Sequence, residues 1–455
     1  MSTLTQDFAA WSEAVSWETL PEAVREKTRA CLLDWLAAVS SGAAHPAAAT
    51  YVALARELGG TQGVSIAART ETTSKAFAIF ANGALGHITE NDDGHRWSIM
   101  HPGDVVFPVV AVLAPLAANP AKAAVEGAVV GYEAAIRLGV ALGPDHYSTW
   151  HTTATAGVFG AAAAAAKILE LGEHGMADAL GHAGTQAAGL WQFLDDGCVA
   201  AKPFHPGKSC LSGYIAAVTA KNGIPGAAHI LEGSKGVLAA LGRPPMPEKF
   251  AANLGNGYAI LEANFKGYPT CGQTHSMIDA LARIMKEHGI SAADVASIEA
   301  RVYAKAITVA GNLNPQNLEE AKFSIPFCLA YMLLHGRIPF TGITGDDVFR
   351  DDIRAVMGKV SLVEDAAMTA GFPDARPCRV IVTTTDGRRL DAENTFRKGD
   401  PENPMTFDEI ADKFRELGAG VYSPIKRETV ITTVRNMCRD ENAGTWPDIV
   451  PDMQP

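Results

Sequence analysis

Three histidines, four acids and an arginine fall within the eighteen residues from 87 to 104: His87, Glu90, Asp92, Asp93, His95, Arg96, His101 and Asp104. The chain around them is small and apolar. A packed helix has no use for this density of titratable groups, because each one buried without a partner costs several kcal/mol. Histidine beside carboxylate is the usual material for moving protons near neutral pH. Residues 87–108 therefore read as an active-site loop, against the plainer reading of a solvated polar loop. Three further polar segments share its character. One is His151, preceded by Trp150 and followed by Thr152, Thr153 and Thr155. The next is Lys202-Pro-Phe-His205-Pro-Gly-Lys208. The last is Phe265-Lys266-Gly-Tyr268-Pro-Thr-Cys-Gly-Gln-Thr-His275. Proline and glycine give such segments fixed, non-helical backbones that present side chains into a cleft. One histidine or lysine alone is more often structural or merely exposed; four clusters of one kind point to a shared site.

Other chemistries fit less well. Gly207-Lys208-Ser209 ends like a phosphate-binding loop, but Lys202 stands where the first glycine belongs and no strand precedes it. Gly233-Ser-Lys-Gly236 reads as a helix C-cap turn. His87, Asp92, Asp93, His95 and His101 could ligate a metal, yet the HExxH pattern is absent and no spacing matches a familiar site, so no metal is expected.

The 455 residues are 47% hydrophobic and 19% charged, enough for a large buried core and two or three domains. A net charge of −12 without a basic cluster argues against nucleic acid or an anionic membrane as partner. A small anionic substrate fits if a few cations are placed locally. Cys31, Cys198, Cys210, Cys271, Cys328, Cys378 and Cys438 are scattered, with no CxxC pair, so neither a disulfide framework nor a zinc knuckle is indicated. The first residues are polar and acidic, unlike a signal peptide. The apolar region 105–142 is broken by Pro108, Pro115, Pro120, Lys122, Glu126 and Arg137, which excludes a span. A reducing cytoplasm is expected.

The elements that must position the clusters are mostly helical. Abundant alanine, as in 161–166, favours close-packed helices. Thr19-Leu-Pro-Glu22 reads as a capping box opening a helix with Val24, Cys31, Leu32, Trp35, Leu36 and Val39 on one stripe, ended by Gly42 and Pro46. Further helices are expected over 47–58, 74–86, 108–118, from Pro120 to Gly139 or Gly143, and over 155–171, 178–188 and 210–221, with 202–209 as a break. From Lys266 the character changes. Ile298, Ala300 and Val302 alternate with polar residues, as do Val380 and Val382, which lead to Asp386-Gly387 and a hairpin; Val360 and Leu362 add a strand. Helices are expected over 274–288 and 324–335. A second capping box, Thr406-Phe-Asp-Glu409, opens a helix with Ile410, Phe414 and Leu417 on one face. The chain thus reads as mainly α with an α+β part. A large helical domain takes 1–267 and 399–455, and a smaller α+β lid domain takes 268–398.

The chain resembles the MmgE/PrpD family, which includes 2-methylcitrate dehydratase, cis-aconitate decarboxylase and iminodisuccinate epimerase. The likeness runs from the N-terminal helix to about residue 418. It is carried by His87 and Glu90-Asn-Asp92-Asp93-Gly-His95, by His101-Pro-Gly with Pro108, and by Trp150-His151. Lys202-Pro-Phe-His205-Pro-Gly-Lys208, Lys266-Gly-Tyr-Pro with Thr274-His275, Phe323-Ser-Ile-Pro-Phe327 and Asp400-Pro-Glu-Asn-Pro404 add to it. The resemblance implies a helical domain with an α+β lid, a homodimer, no organic cofactor, and a site between the domains lined by Asp93, His101, His151, Lys202 and Lys266. Two positions depart from the family pattern. Gly94 stands where threonine is frequent, and Phe327 where the decarboxylase branch carries tyrosine, so decarboxylation of cis-aconitate is not carried over.

The resulting expectation is a lyase, foremost a dehydratase, acting on a small di- or tricarboxylic acid. A proton α to a carboxylate is weakly acidic, so a placed base and cations must support the developing charge. His101 or His151 would serve as base and general acid, with Asp93 orienting or tuning one imidazole. Lys202 and Lys266 would grip carboxylates, with Arg96, Lys208 and His275 as secondary binding candidates. An epimerase of an amino- or imino-dicarboxylate would use the same residues. A non-catalytic binding protein and a metal-dependent hydrolase are the remaining readings.

Overall fold

The computed structural model describes residues 2–372, 374–437, 439 and 444–452; Cys438 lies outside them. The chain divides into two compact units. Met1–Asn264 and Thr406–Pro455 form one, and Phe265–Met405 the other.

The first unit is built of helices. Glu22–Ala44, Ala48–Gly59, Lys75–His87, Gly103–Leu113, Pro120–Ala141, Gly157–Ile168, Gly172–Gly184 and Phe204–Lys221 are its main members. Along Gly157–Ile168 every residue but Lys167 is buried, because alanine offers little bulk and neighbouring helices approach from several sides. Asn119 caps Pro120–Ala141 by accepting the Lys122 N–H at 3.1 Å. The expected stripe of Glu22–Ala44 is buried, but its entry differs from a capping box. Pro21 is the N-cap residue, and the Thr19 hydroxyl instead accepts the Ser16 N–H at 3.0 Å and donates to the Ser16 carbonyl. The helix expected over 155–171 is divided into Thr152–Thr155 and Gly157–Ile168, and the one expected over 178–188 runs Gly172–Gly184.

Prolines misplace two helix starts. Residues 202–209 are not a break, for the helix begins at Phe204. Pro203 is its N-cap and Pro206 falls in its first turn, where backbone N–H groups have no intrahelical acceptor to lose. Pro108 does not open a helix but sits inside Gly103–Leu113. The Asp104 carbonyl, whose usual donor would be the missing N–H of residue 108, accepts the Cys210 thiol at 3.2 Å.

In the second unit a four-stranded sheet runs in the order Val360–Glu364, Val295–Val302, Cys378–Thr384, Arg389–Asn394. The first pair is parallel and the other two antiparallel, with Ile298 opposite Val382 and Val360. The alternation read from sequence is the burial pattern: Ile298, Ala300 and Val302 are all fully buried. Gly387 turns the expected hairpin with φ +87°. Helices His275–His288 and Ile325–His335 pack on the strands. The six cysteines among the described residues are all free. No helix among those residues is long and apolar enough to cross a membrane.

Candidate active site

The helix Lys75–His87 ends on His87, and the helix Gly103–Leu113 begins just after His101, so the polar loop is held at both ends. His87 is fully buried. Its Nδ1 lies 2.8 Å from Asp92 Oδ2 and 3.1 Å from Asp104 Oδ2. His101 places its own Nδ1 2.7 Å from the same Asp92 oxygen and 2.7 Å from the Asp93 carbonyl. A carbonyl and an ionised carboxylate only accept, so Nδ1 of His101 carries the hydrogen, and the lone pair of the neutral ring is on Nε2. The backbone of His101 is tied down as well, its N–H donating to Thr153 Oγ1 at 3.1 Å.

Asp92 is the pivot of this arrangement. Burial opposes its charge, but His101 and His87 hold its pKa well below the ordinary carboxylate value. Asp104 goes the other way. Burial, reinforced by the neighbouring Asp92 charge, pushes its pKa well above the ordinary range, so of the two acids Asp104 is the one that holds a proton more readily. Glycine at position 86 makes room for this, since a Cβ there would stand 2.2 Å from Asp104 Oδ1.

Asp93 does not orient an imidazole with its side chain; only its carbonyl touches His101. Its carboxyl turns into the core, where it accepts the Gly103 N–H at 2.9 Å and the Tyr132 hydroxyl at 2.7 Å. Burial raises its pKa to about 7. A carboxyl whose pKa rises on folding favours the fold in its protonated form. That contribution is complete below the unfolded value near 3.8 and is lost as pH climbs towards 7. Asp93→Asn keeps the shape and never ionises. From pH 4 to pH 8 its unfolding free energy should therefore gain on that of wild type by roughly 2–4 kcal/mol. Urea titrations at both pH values measure this, and a gap that does not change with pH would mean Asp93 is already ionised in the fold.

His151 stands at the N-cap of the short helix Thr152–Thr155, its N–H bonded to the Gly189 carbonyl at 2.9 Å. It is 0% exposed, with its ring 5.9 Å from that of His87 and 4.4 Å from that of Trp191. Burial, followed by Lys202 and the neighbouring imidazoles, holds its pKa well below the usual histidine value, so it is neutral at neutral pH. Nδ1 of His151 lies 3.1 Å from Nδ1 of His205. Nε2 of His151 and Nε2 of His87 are both buried without a hydrogen-bond partner among the described residues. Such groups cost about 1–3 kcal/mol each and mark a place where a polar ligand is welcome. Lys202 Nζ sits 2.5 Å from Glu90 Oε1, which in turn lies 3.8 Å from His87 Nε2. Glu90 holds a left-handed backbone, φ +56°, a conformation that costs of order 1 kcal/mol or more and is typical of loops that aim a functional side chain.

His87, Asp92 and His101 also stand close enough to surround a metal ion, with donor atoms within 4.8 Å of one another. Both imidazoles already direct Nδ1 at one Asp92 oxygen, at 2.8 and 2.7 Å. An ion about 2.0–2.2 Å from each donor would have to break both contacts.

The structure thus brings His101, His151 and Lys202 together, with Asp93 behind them. Arg96 is buried on another arm of the loop, 5.2 Å from the Trp97 ring, beside His95. His95 bridges Ser98 and Glu262, with its Nδ1 accepting the Ser98 N–H at 3.2 Å and its Nε2 3.1 Å from Glu262 Oε2. Lys208 donates to Ser212 one turn along its own helix, and burial lowers its pKa. Lys266 and His275 belong to the second unit. His275 is 1% exposed and opens the helix His275–His288, with Nε2 3.1 Å from the Thr270 carbonyl. Burial lowers its pKa to about 3, so it brings no positive charge near neutral pH. Phe327 is fully buried in that unit's core, 6.1 Å from the Tyr331 ring. Sequence reasoning left His87, Asp92, Asp104, Glu90 and His205 out of the working set.

Gly94 exchanges two backbone hydrogen bonds with Asn264, at 2.9 and 2.7 Å. A Cβ on it would stand 3.0 Å from Asn264 Oδ1, so the neighbour must give by a few tenths of an ångström. Gly94→Thr should cost about 1–3 kcal/mol by denaturant unfolding. Unchanged stability would show that Asn264 swings clear.

The MmgE/PrpD N-terminal domain matches residues 6–249, and the MmgE/PrpD C-terminal domain matches residues 268–438. The chain belongs to the MmgE/PrpD family. It is similar to a cis-aconitate decarboxylase of Aspergillus terreus (strain NIH 2624 / FGSC A1156), 24% identical over 445 residues, covering 92% of this chain and 90% of that protein. It is 26% identical over 384 residues to the cis-aconitate decarboxylase of Homo sapiens, covering 79% of this chain and 76% of that one. A cis-aconitate decarboxylase-like protein of Aspergillus oryzae (strain ATCC 42149 / RIB 40) is 23% identical over 465 residues, covering 95% and 94%.

Proposed function

We propose that the protein is a lyase acting on a small tricarboxylic acid, and that the bond it breaks is the carbon–oxygen bond of a hydroxyl β to the proton it removes. Two unpartnered nitrogens buried beside His101, Nε2 of His87 and Nε2 of His151, support this reading. His101 Nε2 would take the proton next to a carboxylate, and Asp92 at 2.7 Å from Nδ1 would stabilise the imidazolium that forms. His151 would give its Nε2 hydrogen to the departing hydroxyl. Lys202 would hold a carboxylate and the charge that builds on it. Elimination of water needs a base and an acid at once, and two imidazoles held by different partners suit that division.

Decarboxylation is the second reading, favoured by the names of the relatives. It needs the acid but not the base, because the electron pair left by carbon dioxide takes up one proton. Epimerisation would need both bases and would lose nothing. A turnover screen over hydroxy-, amino- and unsaturated polycarboxylates in deuterated water separates them. Dehydration yields an alkene and no carbon dioxide. Decarboxylation yields carbon dioxide and one deuterium in the product, and epimerisation yields α-deuterium with no other change. If no polycarboxylate is turned over and none shifts the melting temperature, the lyase reading fails in favour of a binding protein.

A further inference from the structure

We infer that His205 is a positioning and relay residue that carries protons between the enclosed His151 and water. The inference rests on the lyase reading, and a proton balance motivates it. In dehydration the acid gives one proton to the leaving hydroxyl in every turnover; in decarboxylation it gives one to carbon. Either way a neutral imidazole that gives up its Nε2 hydrogen must take one on Nδ1 or be left as a costly imidazolate. His151 has no direct route to water, being 0% exposed, covered on one face by Trp191 at 4.4 Å and facing the interior with Nε2. Its one side-chain hydrogen-bond partner among the described residues is His205, Nδ1 to Nδ1 at 3.1 Å.

His205 is half-buried, lies in the first turn of the helix Phe204–Lys221 and so reaches the surface that His151 cannot. Phe193 meets its ring edge-on at 5.1 Å, and Trp191 lies 6.5 Å away, so the contact is walled by aromatic rings. Burial, then His87 and Lys202, lowers its pKa to about 4, which leaves both imidazoles neutral at pH 7. A neutral pair can still pass a proton. The Nδ1–Nδ1 contact holds one hydrogen, so when His205 donates, His151 presents Nε2–H to the interior. As His151 releases that proton to the substrate, the hydrogen on His205 crosses to His151 Nδ1, and His205 Nε2 takes its replacement from water. One proton enters as one is used; in dehydration the rings reset when the proton that His101 took from carbon passes to His151 Nε2 and the hydrogens move back, releasing one proton through His205, so none is consumed overall.

The test is steady-state turnover of His205→Gln, which keeps bulk, and His205→Ala, which opens a space, in dilute and then concentrated imidazole buffer. In dilute buffer kcat should fall at least about tenfold with KM little changed. Added imidazole should restore it in a concentration-dependent manner, most completely for His205→Ala, while wild type ignores the buffer. A purely positional role would give a loss that buffer does not repair. Wild-type kcat in dilute buffer for either variant, or a loss insensitive to imidazole in both variants with unchanged melting temperatures, overturns the relay. Absence of turnover by wild type itself on every polycarboxylate overturns the lyase reading instead.

Discussion

His101→Ala should lower kcat by about a hundred- to ten-thousandfold, the usual contribution of a positioned general acid or base. The effect should fall on kcat more than on KM, because an imidazole whose Nδ1 is fixed between the Asp92 carboxylate and the Asp93 carbonyl acts on the proton rather than on the substrate's carboxylates. The fold should survive. His101 is 18% exposed, and Asp92 keeps a second imidazole partner, His87, at 2.8 Å when the first is gone. A thermal melt within a few degrees of wild type, together with the loss of turnover, is the expected pair of results. If His101→Ala turns over at near the wild-type rate, His101 is not the base, and His151 or His87 must take that part. Asp92→Asn is the informative companion, since it leaves every ring in place and removes only the charge that both Nδ1 atoms face.

The loop announced itself through composition, because titratable groups crowded into an apolar chain have few other uses. What sequence could not give was direction. Asp92 and Asp93 are adjacent, yet one carboxyl faces two imidazoles while the other faces Tyr132 and the Gly103 N–H. The pairing of Gly94 with Asn264, far along the chain, helps to fix the turn that parts them. Asp104 was hidden for another reason: an acid in the first turn of a helix is ordinary, and nothing local says that it meets the same His87 nitrogen as Asp92. The strands were legible because a half-buried sheet writes its period directly into residues such as Ile298, Ala300 and Val302. Prolines misled twice, at 108 and at 203–206. The same residue breaks a helix, opens one, or sits within one where another donor serves the orphaned carbonyl, as Cys210 does for Asp104. His205 was displaced by the same error, since a residue placed in a break is not expected to be the helical neighbour of His151.

Lys413→Met should destabilise the fold by about 3–5 kcal/mol, the cost of breaking one side of a buried ion pair. The capping box at Thr406 and the stripe of Ile410, Phe414 and Leu417 put Lys413 on the edge of a buried face, and the structure encloses it almost completely, at 1% exposure. Its Nζ donates to Asp34 Oδ1 at 2.6 Å, a partner 379 positions away that no local pattern reveals. It also donates to the Asn91 carbonyl at 2.5 Å, one residue before the pivot Asp92. Methionine matches the length of lysine but leaves Asp34 buried without the cation it is paired with. Burial already pushes the pKa of Asp34 up, so the carboxyl would take up a proton, and the penalty should shrink as pH falls below neutrality. Asp34→Asn combined with Lys413→Met removes the stranded charge and should recover much of the loss, as coupled partners do. Activity supplies the second readout. With the Asn91 carbonyl released, Asp92 is no longer held in register with two imidazoles, and kcat should remain depressed in the double variant even where stability returns. Urea unfolding and steady-state kinetics on the three variants measure both effects. A single variant within about 1 kcal/mol of wild type, or a stable double variant with full turnover, would mean that this lysine neither holds the fold nor sets the loop.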